Sequence, residues 1–133
     1  MKWVVSPILA ARKMALALHT IIRKIMNNVL LVGRDPNFAW ALQKILGGLG
    51  LGVDHVYTLS EAEQRKAHRG YTTFILDSLR GEDMEQFLMG KGAEDKVIIF
   101  DIPPPDTSFD GVVLLSKAEP LQSMIRSLKE HLL

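Results

Sequence analysis

The sequence predicts an α/β fold in one domain, a parallel β-sheet with helices on both faces. Three observations carry that prediction. Short all-apolar runs of strand length recur down the chain, segments with helical apolar spacing separate them, and Gly, Pro, Asp or Ser punctuates most junctions. A strand buried on both faces reads as a continuous apolar run, and strands alternating with helices form parallel sheets with right-handed crossovers. At 133 residues the chain suits one domain and can bury a core without a metal or disulfide staple.

Ser6-Pro7 opens the first helix, with Ser as N-cap and Pro in the first turn. Ile8, Ala11, Ala15, Leu18, Ile22 and Ile25 then follow at three- and four-residue spacing, and Met14 and Ile21 widen the stripe. Arg12, Lys13, Thr20, Arg23 and Lys24 fall on the other side, so residues 1–27 read as a basic amphipathic helix. Its stripe could pack on its own domain, on a partner or second subunit, or on a membrane surface.

Residues 28–133 form the sheet domain. Val29-Leu30-Leu31-Val32 is the first strand, and Asp35-Pro36 starts a helix with Phe38, Leu42, Ile45, Leu46 and Leu49 on one face. Gly47, Gly48, Gly50 and Gly52 end it. Residues 53–58 read as the second strand, and Ser60-Glu61-Ala62-Glu63 as the capping box of a polar helix closed by Gly70. Thr72-Thr73-Phe74-Ile75-Leu76 leads directly into Asp77, and a short helix surrounds Met84, Phe87 and Leu88. Val97-Ile98-Ile99-Phe100 and Val112-Val113-Leu114-Leu115 are the last two strands. A helix from about Glu119 carries Leu121, Met124, Ile125, Leu128 and Leu132.

Composition narrows the function classes. The absence of cysteine removes disulfides, thiolate metal sites and cysteine nucleophiles, and fits a reducing compartment, here expected to be the cytoplasm. Net charge is +1, but residues 1–34 hold Lys2, Arg12, Lys13, Arg23, Lys24 and Arg34 and no acid, while all fifteen acids lie beyond them. Such asymmetry marks an interaction arm or a basic segment docked on its own acidic domain. No run of roughly 18 apolar residues suggests a membrane-spanning helix.

The order of elements, with Val29-Leu30-Leu31-Val32-Gly33-Arg34-Asp35-Pro36, Phe74-Ile75-Leu76-Asp77 and Leu114-Leu115-Ser116-Lys117-Ala118-Glu119-Pro120 at their ends, resembles the receiver domain of two-component response regulators. The resemblance covers residues 28–133. It implies a flavodoxin-like sheet of order 2-1-3-4-5, with the functional residues at the carboxyl ends of the strands. It also implies an acidic pair after the first strand, a phospho-acceptor aspartate after the third, a Thr or Ser after the fourth and a Lys-Pro after the fifth.

The departures from that pattern are as informative as the matches. The acidic pair that helps hold Mg²⁺ falls on Gly33 and Arg34, the first without a ligand and the second a cation. Asp35 comes one position late and is expected to cap the helix at Pro36. Asp77 takes the acceptor position, where an ion pair with Arg34 or Lys117 is the expected role. The hydroxyl position falls on Asp101, and Ala118 replaces the proline after Lys117. Pro103-Pro104-Pro105 lies in the short segment between the fourth and fifth strands, so the fourth crossover helix is expected to be lost. The N-terminal helix is the expected cover for the sheet face this leaves open.

Other chemistry finds little footing. His19, His55, His68 and His131 have no metal-ligand spacing, the glycine run 47–52 follows a helix where a phosphate loop follows a strand, and there is no GxSxG element. Trp3 and Trp40 read as packing residues. The expected function is non-enzymatic: a pseudo-receiver without cofactor that binds a protein partner or itself as a dimer, with no nucleic-acid role. Arg34, Asp35, Asp77, Asp101 and Lys117 would form a charge cluster that locks one conformation. Two alternatives stand beside it. One is a working phospho-acceptor that uses Asp77 with atypical Mg²⁺ binding by Asp35 or Asp101; the other is a docking or membrane arm carried on a passive domain.

Overall fold

The computed structural model describes Met14, residues 28–103 and residues 110–133. The chain runs β1 (Asn28–Val32), α1 (Pro36–Gly48), β2 (Gly52–Val56), α2 (Leu59–Arg69), β3 (Thr73–Asp77), α3 (Gly81–Met89), β4 (Lys96–Phe100), β5 (Val112–Leu115) and α4 (Leu121–Leu132). All four pairings are parallel and the strand order is β2-β1-β3-β4-β5. This is the flavodoxin-like receiver arrangement expected from the sequence.

The all-apolar strands are explained by two cores. Leu30, Phe74, Leu76, Val97 and Ile99 face α2 and α3, where Met84, Phe87 and Leu88 close over them. The alternate residues Leu31, Ile75, Ile98 and Phe100 face α1 and α4, against Leu42, Leu46, Met124 and Leu128. Successive strand residues point to opposite faces, so a covered sheet must be apolar at every position. Each fully buried Leu, Ile or Phe contributes roughly 1.5–3 kcal/mol, and the three central strands supply most of them.

The helix ends follow local chemistry. Asp35 caps α1, its Oδ1 accepting from the amides of Asn37 and Phe38, both at 3.1 Å, and Pro36 occupies the first turn, where a missing N–H costs nothing. Gly70 closes α2 in the left-handed conformation at φ +64°. Three boundary or burial expectations are corrected. β2 stops at Val56, and the cap of α2 is Thr58, whose Oγ1 accepts from the Glu61 amide; the box therefore sits two residues earlier than Ser60. Trp40 is 62% exposed, with the Lys44 ammonium 5.4 Å from its ring centroid, because at 3.6 residues per turn it lies about 100° around the helix from Ala39 and about 160° from Leu42. α4 begins at Leu121, which is exposed, and the buried contacts come from Met124 and Leu128.

β5 is an edge strand, and its outer residues are only partly covered. Leu114 is 49% exposed although its register partner Ile99 is buried. Only residues 101–111 join β4 to β5; of the described ones, 101–102 are bends and 110–111 a turn. The expected loss of a crossover helix falls mainly on residues 104–109, outside the described residues. The stripe Ile8, Ala11, Ala15, Leu18, Ile22 and Ile25 also lies outside them. Among the described residues no helix is long and apolar enough to cross a membrane.

Candidate functional site

The order of strands reverses between β1 and β3, and in open α/β sheets ligands bind at the carboxyl ends of strands at such a point. Three of the singled-out residues, Asp35, Asp77 and Lys117, meet here. Asp77 ends β3 with only 3% of its surface exposed. Its Oδ1 lies 2.7 Å from Lys117 Nζ and accepts the Ser78 hydroxyl at 3.1 Å. The same ammonium stands 3.4 Å from Asp35 Oδ2 and 4.4 Å from the centroid of the Phe38 ring. Phe38 is held edge-on against Phe100, at 4.9 Å. One lysine from the β5–α4 loop thus joins the ends of β1 and β3.

The titration of this group follows from its surroundings. Burial disfavours the Lys117 ammonium, but the hydrogen bonds and charges of Asp77 and then Asp35 outweigh burial and hold its pKa above the ordinary 10.5. The Phe38 amide, working against burial and helped by Lys117 and the Asn37 amide, lowers the Asp35 carboxyl. Lys117 and Asp35 are therefore both charged across the physiological range.

Asp101 is close by but acts differently. Its Oδ1 accepts from the backbone amide of Lys117 at 2.8 Å. Its own amide donates to the Leu115 carbonyl and the Ile102 amide to that of Phe100, both at 2.9 Å, with Asp101 at φ +69°. That tight turn is strained for a residue other than glycine, and the Lys117 amide on the Asp101 carboxylate and the Leu115 carbonyl on its own amide hold it in place. Asp101 thereby positions the loop that carries Lys117. Arg34 is exposed, and the ion pairs among the described residues are Lys66–Asp95, Lys117–Asp35 and Lys117–Asp77, so Arg34 does not join the charge cluster.

Gly33 explains how β1 and β3 come so close. A Cβ at Gly33 would lie 2.8 Å from Asp77 Cβ and 3.1 Å from its carbonyl oxygen, closer than packed atoms sit. The Gly33 amide donates to the Val56 carbonyl at 3.0 Å. Its carbonyl accepts from His55 Nε2 at 2.8 Å, which fixes that nitrogen as the protonated one. The Mg²⁺ that the receiver resemblance implies does not fit these residues. The first pair position has no room for any side chain, the second is a guanidinium, and Asp35 and Asp77 are both engaged by Lys117.

Above the cluster lies a cleft of about 580 Å³ between the strand ends and the N-termini of α2 and α3. Tyr57, Thr58, Ser78 and Arg80 line it and were not singled out from the sequence. The position of Ser78-Leu79-Arg80 directly after Asp77 was the available signal for two of them. For Tyr57 and Thr58 the sequence offered only their place at the end of a strand.

No family model matches the sequence, and no curated protein does. Solved structures do match. A response regulator receiver domain protein from Bacillus halodurans is 18% identical, with a TM-score of 0.65 over 78% of this chain and 95% of that one. The pseudo-receiver domain of the CikA protein is 18% identical, with a TM-score of 0.59 over 78% and 95%. SdrG from Pseudomonas melonis, solved in its BeF3-activated conformation, is 22% identical, with a TM-score of 0.61 over 81% and 98%. At these identities the likeness establishes the receiver fold.

Proposed function

We propose that the chain is a pseudo-receiver, a non-catalytic signalling module that works by binding a protein partner or a second copy of itself. In this reading the Asp35–Lys117–Asp77 cluster replaces the phosphate switch with a permanent ionic lock. One observation carries it: Lys117 Nζ sits 2.7 Å from a buried Asp77, beside a glycine whose contact with Asp77 leaves no space for a metal-binding acid. Phosphoryl transfer depends on positioning and on metal charge that neutralises the developing anion. With glycine and arginine where the cation-holding acids would stand, and Arg34 lining the same cleft, Asp77 is a poor acceptor.

We place the partner surface on the β5 edge of the sheet, where described residues are partly exposed. Leu114 and Ile102 are 49% and 39% exposed beside a shallow groove of about 330 Å³. Its apolar lining, Ile99, Ile102, Pro103, Leu114 and Leu115, favours a partner with an apolar segment. The reading is tested by incubating the full chain with Mg²⁺ and acetyl phosphate and measuring its intact mass. No phospho-adduct is expected. An adduct that vanishes in Asp77→Asn would replace this reading with a working phospho-acceptor.

A further inference from the structure

We infer that the groove beside β5 takes the N-terminal segment of a second copy of this chain, so that two copies exchange residues 8–25. This deepens the reading that the chain works by binding a protein partner or itself. The groove, about 330 Å³, is lined by the apolar residues Ile99, Ile102, Leu114 and Leu115. Its ionisable lining residues, Asp101 and Glu119, are both acids, and neither makes an ion pair among the described residues. The stripe Ile8, Ala11, Ala15, Leu18, Ile22 and Ile25 complements that lining. It is an apolar row flanked by Arg12, Lys13, Arg23 and Lys24, in a segment without acids. An amphipathic segment laid in an apolar groove, its charges meeting opposite ones at the margin, is a recurring mode of recognition.

Reach favours the second copy over the chain's own segment. Met26 and Asn27 alone separate Ile25 from Asn28, the first residue of β1, which allows about 11 Å at most. β5 lies three strand spacings from β1, about 14 Å. The groove also sits at the carboxyl ends of β4 and β5, a strand length of about 17 Å beyond the amino end of β1. Between the two, α2 and α3 already close over Leu30, Phe74, Leu76 and Ile99. Ile22 and Ile25 of the same chain therefore fall short, while a second copy can lay the whole stripe along the groove. Met14, which widens the stripe, is 66% exposed, so its own domain leaves it uncovered. Each copy gives one segment and fills one groove, and the assembly closes at two.

The test uses the full chain. It has no cysteine, so Thr20→Cys, on the polar side of the stripe, carries a nitroxide at one position. That chain, unlabelled with ¹⁵N, is mixed with the ¹⁵N-labelled parent. A dimer is expected in sedimentation velocity, with the amides of Ile102, Leu114 and Leu115 broadened in the ¹⁵N chain. Ile22→Asp and Glu119→Lys should each weaken the dimer about tenfold or more, and added chloride should weaken it further. Broadening only when nitroxide and ¹⁵N share one chain would seat the chain's own segment in the groove and overturn the exchange. A monomer at every concentration, or a dimer whose groove amides stay sharp, would overturn it as well and leave the Asp77 lock untouched. Exchange that appears only after Mg²⁺ and acetyl phosphate would uphold the docking and overturn the pseudo-receiver reading.

Discussion

Replacing Lys117 by Met should destabilise the fold more than replacing Asp77 by Asn, and the asymmetry follows from burial. Asp77 is 3% exposed and, without the ammonium, keeps the Ser78 hydroxyl as its side-chain hydrogen-bond donor. Breaking a buried ion pair by removing one partner costs about 3–5 kcal/mol, while exposed pairs are worth about 0–1. The Lys117 side chain is 25% exposed to the cleft, so water can partly replace it, and the expected cost of Lys117→Met is about 2–3 kcal/mol. In Asp77→Asn the lysine keeps Asp35 at 3.4 Å and the carboxamide can still accept, so about 1 kcal/mol is expected. The double variant Asp77→Leu with Lys117→Met removes both charges and should come back to within about 1 kcal/mol of the parent. Urea unfolding with an unchanged slope is the assay. A Lys117→Met protein as stable as the parent, or a double variant whose cost is the sum of the singles, would refute the lock.

Three further outcomes are expected. Gly33→Ala should cost about 1–3 kcal/mol in the same assay, because its Cβ must displace the Asp77 side chain or the β3 backbone; an unchanged midpoint would show that the β1–β3 contact is loose. Because the folded pKa of Lys117 is raised, its contribution is complete below the ordinary value of 10.5 and is lost as pH rises through the folded value. The parent should therefore lose stability above pH 10.5 more steeply than Lys117→Met, and parallel curves would contradict the pairing. Leu114→Glu, on a half-exposed position, should change stability by less than about 1 kcal/mol while abolishing concentration-dependent association in sedimentation velocity; association that persists would place the contact on another face.

The strands and the Asp35 cap were legible because each rests on a local rule. Residues 29–32, 74–76 and 97–100 are covered on both faces, so burial alone forces an apolar run. Asp before Pro matches the helix N-terminus whatever the tertiary context. The α2 cap was misplaced because Thr58 and Ser60 both precede acids at capping spacing, and the end of β2 decides between them. The exposure of Trp40 was hidden because an apolar residue next to a helical stripe looks like part of it.

The site was legible in membership more than in geometry. Sequence placed Arg34 and Lys117 as rival partners for Asp77, and only three-dimensional reach separates them: Lys117 crosses from the β5–α4 loop, while Arg34 points to the cleft wall. The part played by Asp101 depends on a positive φ and a bond to a backbone amide, neither of which has a sequence signature.

The central claim, that Asp77 is locked by Lys117 and not switched by phosphate, is tested most directly by following the backbone amides of the full chain through addition of Mg²⁺ and then beryllofluoride. The account predicts that Asp77, Asp101 and Lys117 keep their positions in the spectrum through both additions. Shifts centred on Asp77 and Lys117 that appear only with Mg²⁺ and beryllofluoride together would contradict it.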